Sequence, residues 1–75
     1  MDIERITFDP MVMGGQACIR GMRVTASMIV SQLAAGVSEA RLLEAYPYLE
    51  RDDIHAALAY AAWRLRERDL PVVAS

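Results

Sequence analysis

The sequence predicts a mainly α fold: a three-helix helix-turn-helix body behind a short N-terminal β arm. Two observations carry that expectation. Up to Val24, short β-favouring stretches are broken by Gly and Pro, whereas beyond it apolar residues recur at helical spacing. A short helical segment then stops at Pro47 and a long one follows, the order of parts in a helix-turn-helix.

Each element has a local reason. Ile6, Thr7 and Phe8 favour a strand, and Asp9-Pro10 closes it because Pro lacks a ladder donor. Gly14-Gly15 suits a turn, and Cys18 to Arg20 and Arg23-Val24 read as extended segments broken at Gly21. These residues, 1–24, form an irregular β arm with little core of its own. Thr25 or Ser27 caps a first helix over about 26–35, with Ile29, Leu33 and Val37 in one row, Val30 and Ala34 beside them, and Gly36 at a left-handed C-cap. Ser38 caps a second helix over about 39–46, turning Leu42, Leu43 and Tyr46 inward.

The third helix runs from Arg51 to about Arg68, with Asp52 and Asp53 placed at the positive end of its dipole. Ile54, Ala57, Leu58, Ala61 and Leu65 make its core stripe, and Ala56, Tyr60 and Trp63 a second stripe. A helix apolar on so much of its circumference is buried on two sides, so the chain is expected to be a dimer or higher oligomer. The body spans 25–68, residues 69–75 are expected to be a flexible tail, and the whole of 1–75 is read as a single domain.

Composition narrows the function classes. One cysteine, Cys18, excludes an internal disulfide, and with one histidine, His55, no His/Cys zinc set can form. Ala56 to Trp63 is the longest apolar run, far short of the roughly 20 residues a membrane helix needs. The expectations are a cytoplasmic, non-enzymatic protein with no cofactor, no metal, no membrane contact and no small-molecule substrate. Net charge is −2, and between 38 and 55 Glu39, Glu44, Glu50, Asp52 and Asp53 face only Arg41 and Arg51. Nucleic-acid affinity rests largely on phosphate neutralisation, so a monomer of this charge should bind DNA weakly.

Candidate contacts follow from residue chemistry. Arg20 and Arg23 flank Gly21-Met22, where a guanidinium either reaches phosphate or a guanine edge, or ties the arm to an acid such as Glu39 or Glu44. Arg51 and His55 lie on the outer face at the start of the third helix and are secondary nucleic-acid candidates. The carboxylates in those turns oppose reading of a simple operator. Tyr60, Trp63 and Arg64 are residue types enriched at binding hot spots, and Arg68 shares a face with Arg64 at i, i+4. Trp63 either packs over the β arm or faces a partner. Cys18 with His55 would make a thiolate and base only if the fold joined them.

Ile6-Thr7-Phe8-Asp9-Pro10, Gly14-Gly15, Ile19, Gly21, Arg23-Val24, Leu33 to Ser38, Tyr46-Pro47 and Asp53 to Leu58 together resemble the small bacterial domain of unknown function 433 family. The resemblance covers residues 3–62 in one register. It departs at Ala17, Met22 and Thr25, which loosens the arm, and at Glu50, a poorer N-cap than the Ser or Thr usual there. That family is similar to helix-turn-helix antitoxins paired with a PIN-like ribonuclease toxin. The resemblance therefore implies a homeodomain-like or winged-helix-like fold and an antitoxin role, with operator DNA as a further partner. On that reading Tyr60 and Trp63 anchor the toxin while Arg64 and Arg68 enter its acidic metal site. The alternatives are a stand-alone DNA-binding regulator and a small thiol enzyme.

Overall fold

A computed structural model describes residues 3–68, with side chains over 4–66. Two strands, β1 (Ile6–Thr7) and β2 (Cys18–Ile19), precede three helices, α1 (Ala26–Ala34), α2 (Glu39–Ala45) and α3 (Arg51–Arg68). The fold is thus mainly helical with an N-terminal β arm, as expected. Residues 69–75, expected to be a flexible tail, lie outside the described residues.

The arm is a small antiparallel sheet with Ile6 opposite Ile19 and Thr7 opposite Cys18. On the other edge of β2, Cys18 bridges Thr25 and the Ile19 amide donates to the Val24 carbonyl at 2.9 Å. The reversal between them is tight: Met22 N–H donates to Ile19 C=O at 2.8 Å, and the two central residues, Arg20 and Gly21, have φ of +45° and +73°. Positive φ at both centres is the mark of a type I′ turn, which suits glycine and strains arginine. Upstream, Pro10 occupies the second position of a turn closed by Val12 N–H to Asp9 C=O at 2.9 Å.

The helix ends follow their local signals. Thr25 Oγ1 accepts from the Met28 amide at 3.0 Å and Ser38 Oγ from the Arg41 amide at 3.2 Å. At the end of α1 the Gly36 amide donates to Leu33 and the Val37 amide to Gln32, at 3.0 and 3.1 Å, with Gly36 at φ +97°. That is a Schellman motif, closed by the glycine the sequence places there.

One core joins arm and helices: Ile6, Ile19, Val24, Ala26, Ile29, Leu42, Leu49, Ile54, Ala56 and Ala57. The arm therefore supplies more of the core than expected, because its extended residues close over α1 and α3. The expected stripe on α3 needs a second correction. Ile54 and Ala57 are buried, but Leu58 is 40% exposed and Leu65 70%. The buried side is centred nearer Asp53 and Ala57, and Leu58 lies about 100° round the helix from Ala57. From Ala62 to Arg66 every residue is exposed, so the helix runs past the body it packs on.

Candidate functional site

The first turn of α3 builds a polar lock. Asp53 is fully buried, yet four donors reach its two carboxylate oxygens. Its Oδ1 accepts from Arg5 Nη1 at 2.8 Å and Arg20 Nε at 3.0 Å, while its Oδ2 accepts from Arg20 Nη2 at 2.8 Å and the Glu50 amide at 2.9 Å. Burial pushes the Asp53 carboxyl up, but the hydrogen bonds from Arg20, the Glu50 amide and Arg5 prevail and hold it below the ordinary value. The bond to Asp53 in turn raises Arg20, against the opposing effect of desolvation.

The lock answers two questions raised by the sequence. The Glu50 amide bond is the returning half of a capping box, with Asp53 at the third helical position, so a poor side-chain cap at Glu50 is offset from within the helix. Arg20 is the residue that ties arm to body, and its partner is Asp53 rather than Glu39 or Glu44. Its Nη2 also donates to Tyr48 C=O at 2.9 Å, which commits most of the fork inside the chain. Those bonds hold a non-glycine residue in the left-handed region.

The other nucleic-acid candidates separate in space and partners. Arg23 is exposed on the hairpin and has no ion pair among the described residues. Arg51 and His55 converge on Glu39 at the start of α2, with Nε and Nε2 at 3.9 and 3.4 Å from its Oε1. Exposed Glu50 and Asp52 stand in the same opening turn, each beside Arg5. Cys18 is buried while His55 is exposed on α3, so the fold does not join a thiolate and base.

An apolar face lies at the other end of α3. Phe8 of the arm, 60% exposed, sits with its ring centroid 5.8 Å from that of Tyr60, and Tyr60 lies 6.1 Å from Trp63. Trp63 is thus stacked beside the arm through Tyr60 and is still 40% exposed. Next to this run of rings is an open groove of about 630 Å³ between the arm, the start of α1 and α3, lined by Phe8, Ala17, Val30, Tyr60, Arg64 and Leu65 among others. Arg64 is exposed at its edge and has no ion pair among the described residues. The structure brings Tyr60, Trp63 and Arg64 together as the sequence expects. The Arg68 side chain lies outside the described residues. Phe8 was missed as a member of this face, since a strand residue beside a turn gives no sign of which helix it will meet.

The comparisons with known proteins agree with the fold. Residues 6–61 match the family model described as protein of unknown function (DUF433), and the chain belongs to that family. It is similar to a crystal structure of a DUF433 member protein from Anabaena variabilis ATCC 29413, with a TM-score of 0.78 and 34% identity, covering 87% of this chain and 64% of that one. It is also 40% identical over 58 residues to the uncharacterized protein y4eO of Sinorhizobium fredii. That match takes in 77% of this chain but only 26% of the relative, so the chain spans about a quarter of its length.

Among the described residues, no helix is long and apolar enough to cross a membrane.

Proposed function

We propose that this DUF433 chain is an antitoxin-like binding module that neutralises a PIN-like ribonuclease by docking the Phe8–Tyr60–Trp63 face on it. The observation that carries the reading is this run of rings beside a groove with the exposed Arg64 guanidinium at its edge. Aromatic side chains and arginine are enriched at the energetic centres of protein interfaces, the rings because they bury much area for little lost rotamer entropy and arginine because its planar fork makes paired charge-assisted bonds. Arg64 then meets the acidic cluster of a metal-dependent nuclease in charge-assisted bonds, with Arg68 one turn further on.

DNA receives less support from the same geometry. Arg20 is engaged with Asp53, and the opening turns of α3 present Glu50 and Asp52 to any phosphate. Operator binding, as an added activity or as that of a stand-alone regulator, rests on Arg23, with Arg51 and His55 secondary.

The test is RNA cleavage by a ribonuclease encoded beside this chain, measured with and without it. Wild-type protein should suppress cleavage, and Trp63→Ala and Arg64→Ala should each lose at least tenfold in inhibitory potency. Full protection by both variants would refute the assigned face. A salt-sensitive shift of promoter DNA by the chain alone, abolished by Arg23→Ala and without any effect on the nuclease, would favour the regulator.

A further inference from the structure

The outward side of α3 carries a second surface, which meets the groove beside the rings at Leu65. Arg51, His55, Leu58, Ala62 and Leu65 are all exposed and are spaced 4, 3, 4 and 3 residues apart. That alternation keeps one row facing one way along a helix and is the spacing of a helix-pairing seam. Leu58 and Leu65 are among the large apolar side chains left outside the core. Ala62 lies between them in the row, with Ala59 and Ala61 on its flanks, so another helix could approach closely.

We infer that this seam pairs with the α3 seam of a second copy, running antiparallel. The charges select the occupant and its direction. Exposed Asp52 stands at the start of α3 and exposed Arg66 near its end. Neither is on the apolar row itself; each borders it on the same side, as helical geometry at about 100° per residue requires. A parallel pair would stack Arg51 on Arg51 and His55 on His55 along the row, and would leave Asp52 and Arg66 of the two copies on opposite sides of it. An antiparallel pair sets Asp52 of each copy against Arg66 of the other, twice, by the two-fold symmetry of an isologous contact. The helix dipoles also oppose.

Size complementarity gives the same register. When the two helices cross near residue 60, Leu58 of each copy lies over Ala62 of the other, and Leu65 lies beside His55. Leu58 of each copy then meets the small Ala62 of the other, and the Asp52 and Arg66 levels fall within about 3 Å along the axis at a rise of about 1.5 Å per residue. Two helices of this length remove about 1,000 Å² from water in total, at the lower edge for specific association. The dimer is therefore reversible and depends on concentration. It does not rest on the binding-module reading, which uses the ring face.

Sedimentation equilibrium of the full chain from about 1 to 200 μM tests the pairing, with circular dichroism confirming that each variant remains folded. Wild type should pass from monomer to dimer across this range. Leu58→Glu should weaken association at least tenfold, and Asp52→Arg or Arg66→Asp at least fivefold, whereas the Asp52→Arg/Arg66→Asp pair should recover most of the loss. A wild type that stays monomeric at 200 μM overturns the inference. So does a dimer indifferent to Leu58→Glu, or one that the double charge exchange fails to restore.

Discussion

Asp53→Asn is the most informative single change in this chain. It keeps the shape of a fully buried side chain but removes the charge that two guanidiniums share, and it turns an NH₂ toward donors that have no use for it. Breaking a buried pair costs about 3–5 kcal/mol when the remaining charge stays buried. Here the Arg5 and Arg20 side chains are 21% and 36% exposed and can regain water, so the loss belongs near the lower end, about 3 kcal/mol. A chain of 75 residues has a total stability of roughly 4–11 kcal/mol, so this one group holds a large share. At about 4–8 °C per kcal/mol for this size, the thermal midpoint should fall about 12–24 °C. Helical circular dichroism followed against temperature reads it directly. A drop under about 3 °C, the equivalent of roughly 0.5 kcal/mol, would show that arm and body are held by apolar packing alone and that the lock contributes nothing net.

Four further outcomes follow from the same structure. Because the folded Asp53 carboxyl titrates below its unfolded value, its stabilisation is complete above the unfolded value of about 4 and is lost as pH falls through the lower folded one; urea midpoints of wild type should drop on acidification below about pH 4, with a shallower drop in Asp53→Asn. Gly36→Ala should cost about 1–2 kcal/mol by denaturant unfolding, all of it backbone strain, because φ is +97° and no atom lies within 4 Å of the added Cβ. Thr25→Ala should lose about 1 kcal/mol with the side-chain bond to the Met28 amide, again by denaturant midpoint. Cys18, 2% exposed, should react with a disulfide reagent only as fast as the chain opens, so its labelling rate should rise in Asp53→Asn; prompt labelling of native wild type would contradict the burial.

What could be read from the sequence was whatever is decided within a few residues. The caps at Thr25 and Ser38, the Gly36 terminus and the stop before Pro47 rest on neighbours three to five positions away, and the three helix ranges came within a residue or so of those observed. The lock was not legible. Arg20 and Asp53 are 33 positions apart, and nothing local distinguishes Asp53 from the other acids as the partner. One signal was available: Asp53 is four residues before Ala57, on the same helix face, and a carboxylate on a buried face requires cations. That signal was obscured because the larger side chains, Leu58 and Leu65, drew the assigned core stripe round the helix away from Asp53. Reading Ile54, Ala56 and Ala57 as the guide, and treating the leucines as surplus, gives the observed face.

The displacement of those leucines bears on how function is distributed along α3. Its first turns are fixed by Asp53, Ile54, Ala56 and Ala57, all buried, and by an arm that reaches across to them through Arg5 and Arg20. Its later turns carry no such restraint among the described side chains, and from Ala62 to Arg66 every residue is exposed. Short helices have little stability of their own, so the exposed end gains most from whatever covers it. Two different surfaces are available there, rings and Arg64 on one side and the leucine row on the other, and a helix can be covered on both at once. If both contacts form, pairing of two copies leaves the ring faces free and doubles them within one particle, which would raise the apparent affinity for a dimeric partner without any new contact. Inhibition of a dimeric nuclease should then steepen and tighten above the concentration at which the chain dimerises, and Leu58→Glu should remove that gain while leaving affinity for a single nuclease subunit unchanged. An equal loss for both forms of the partner would show instead that Leu58 belongs to the nuclease contact itself.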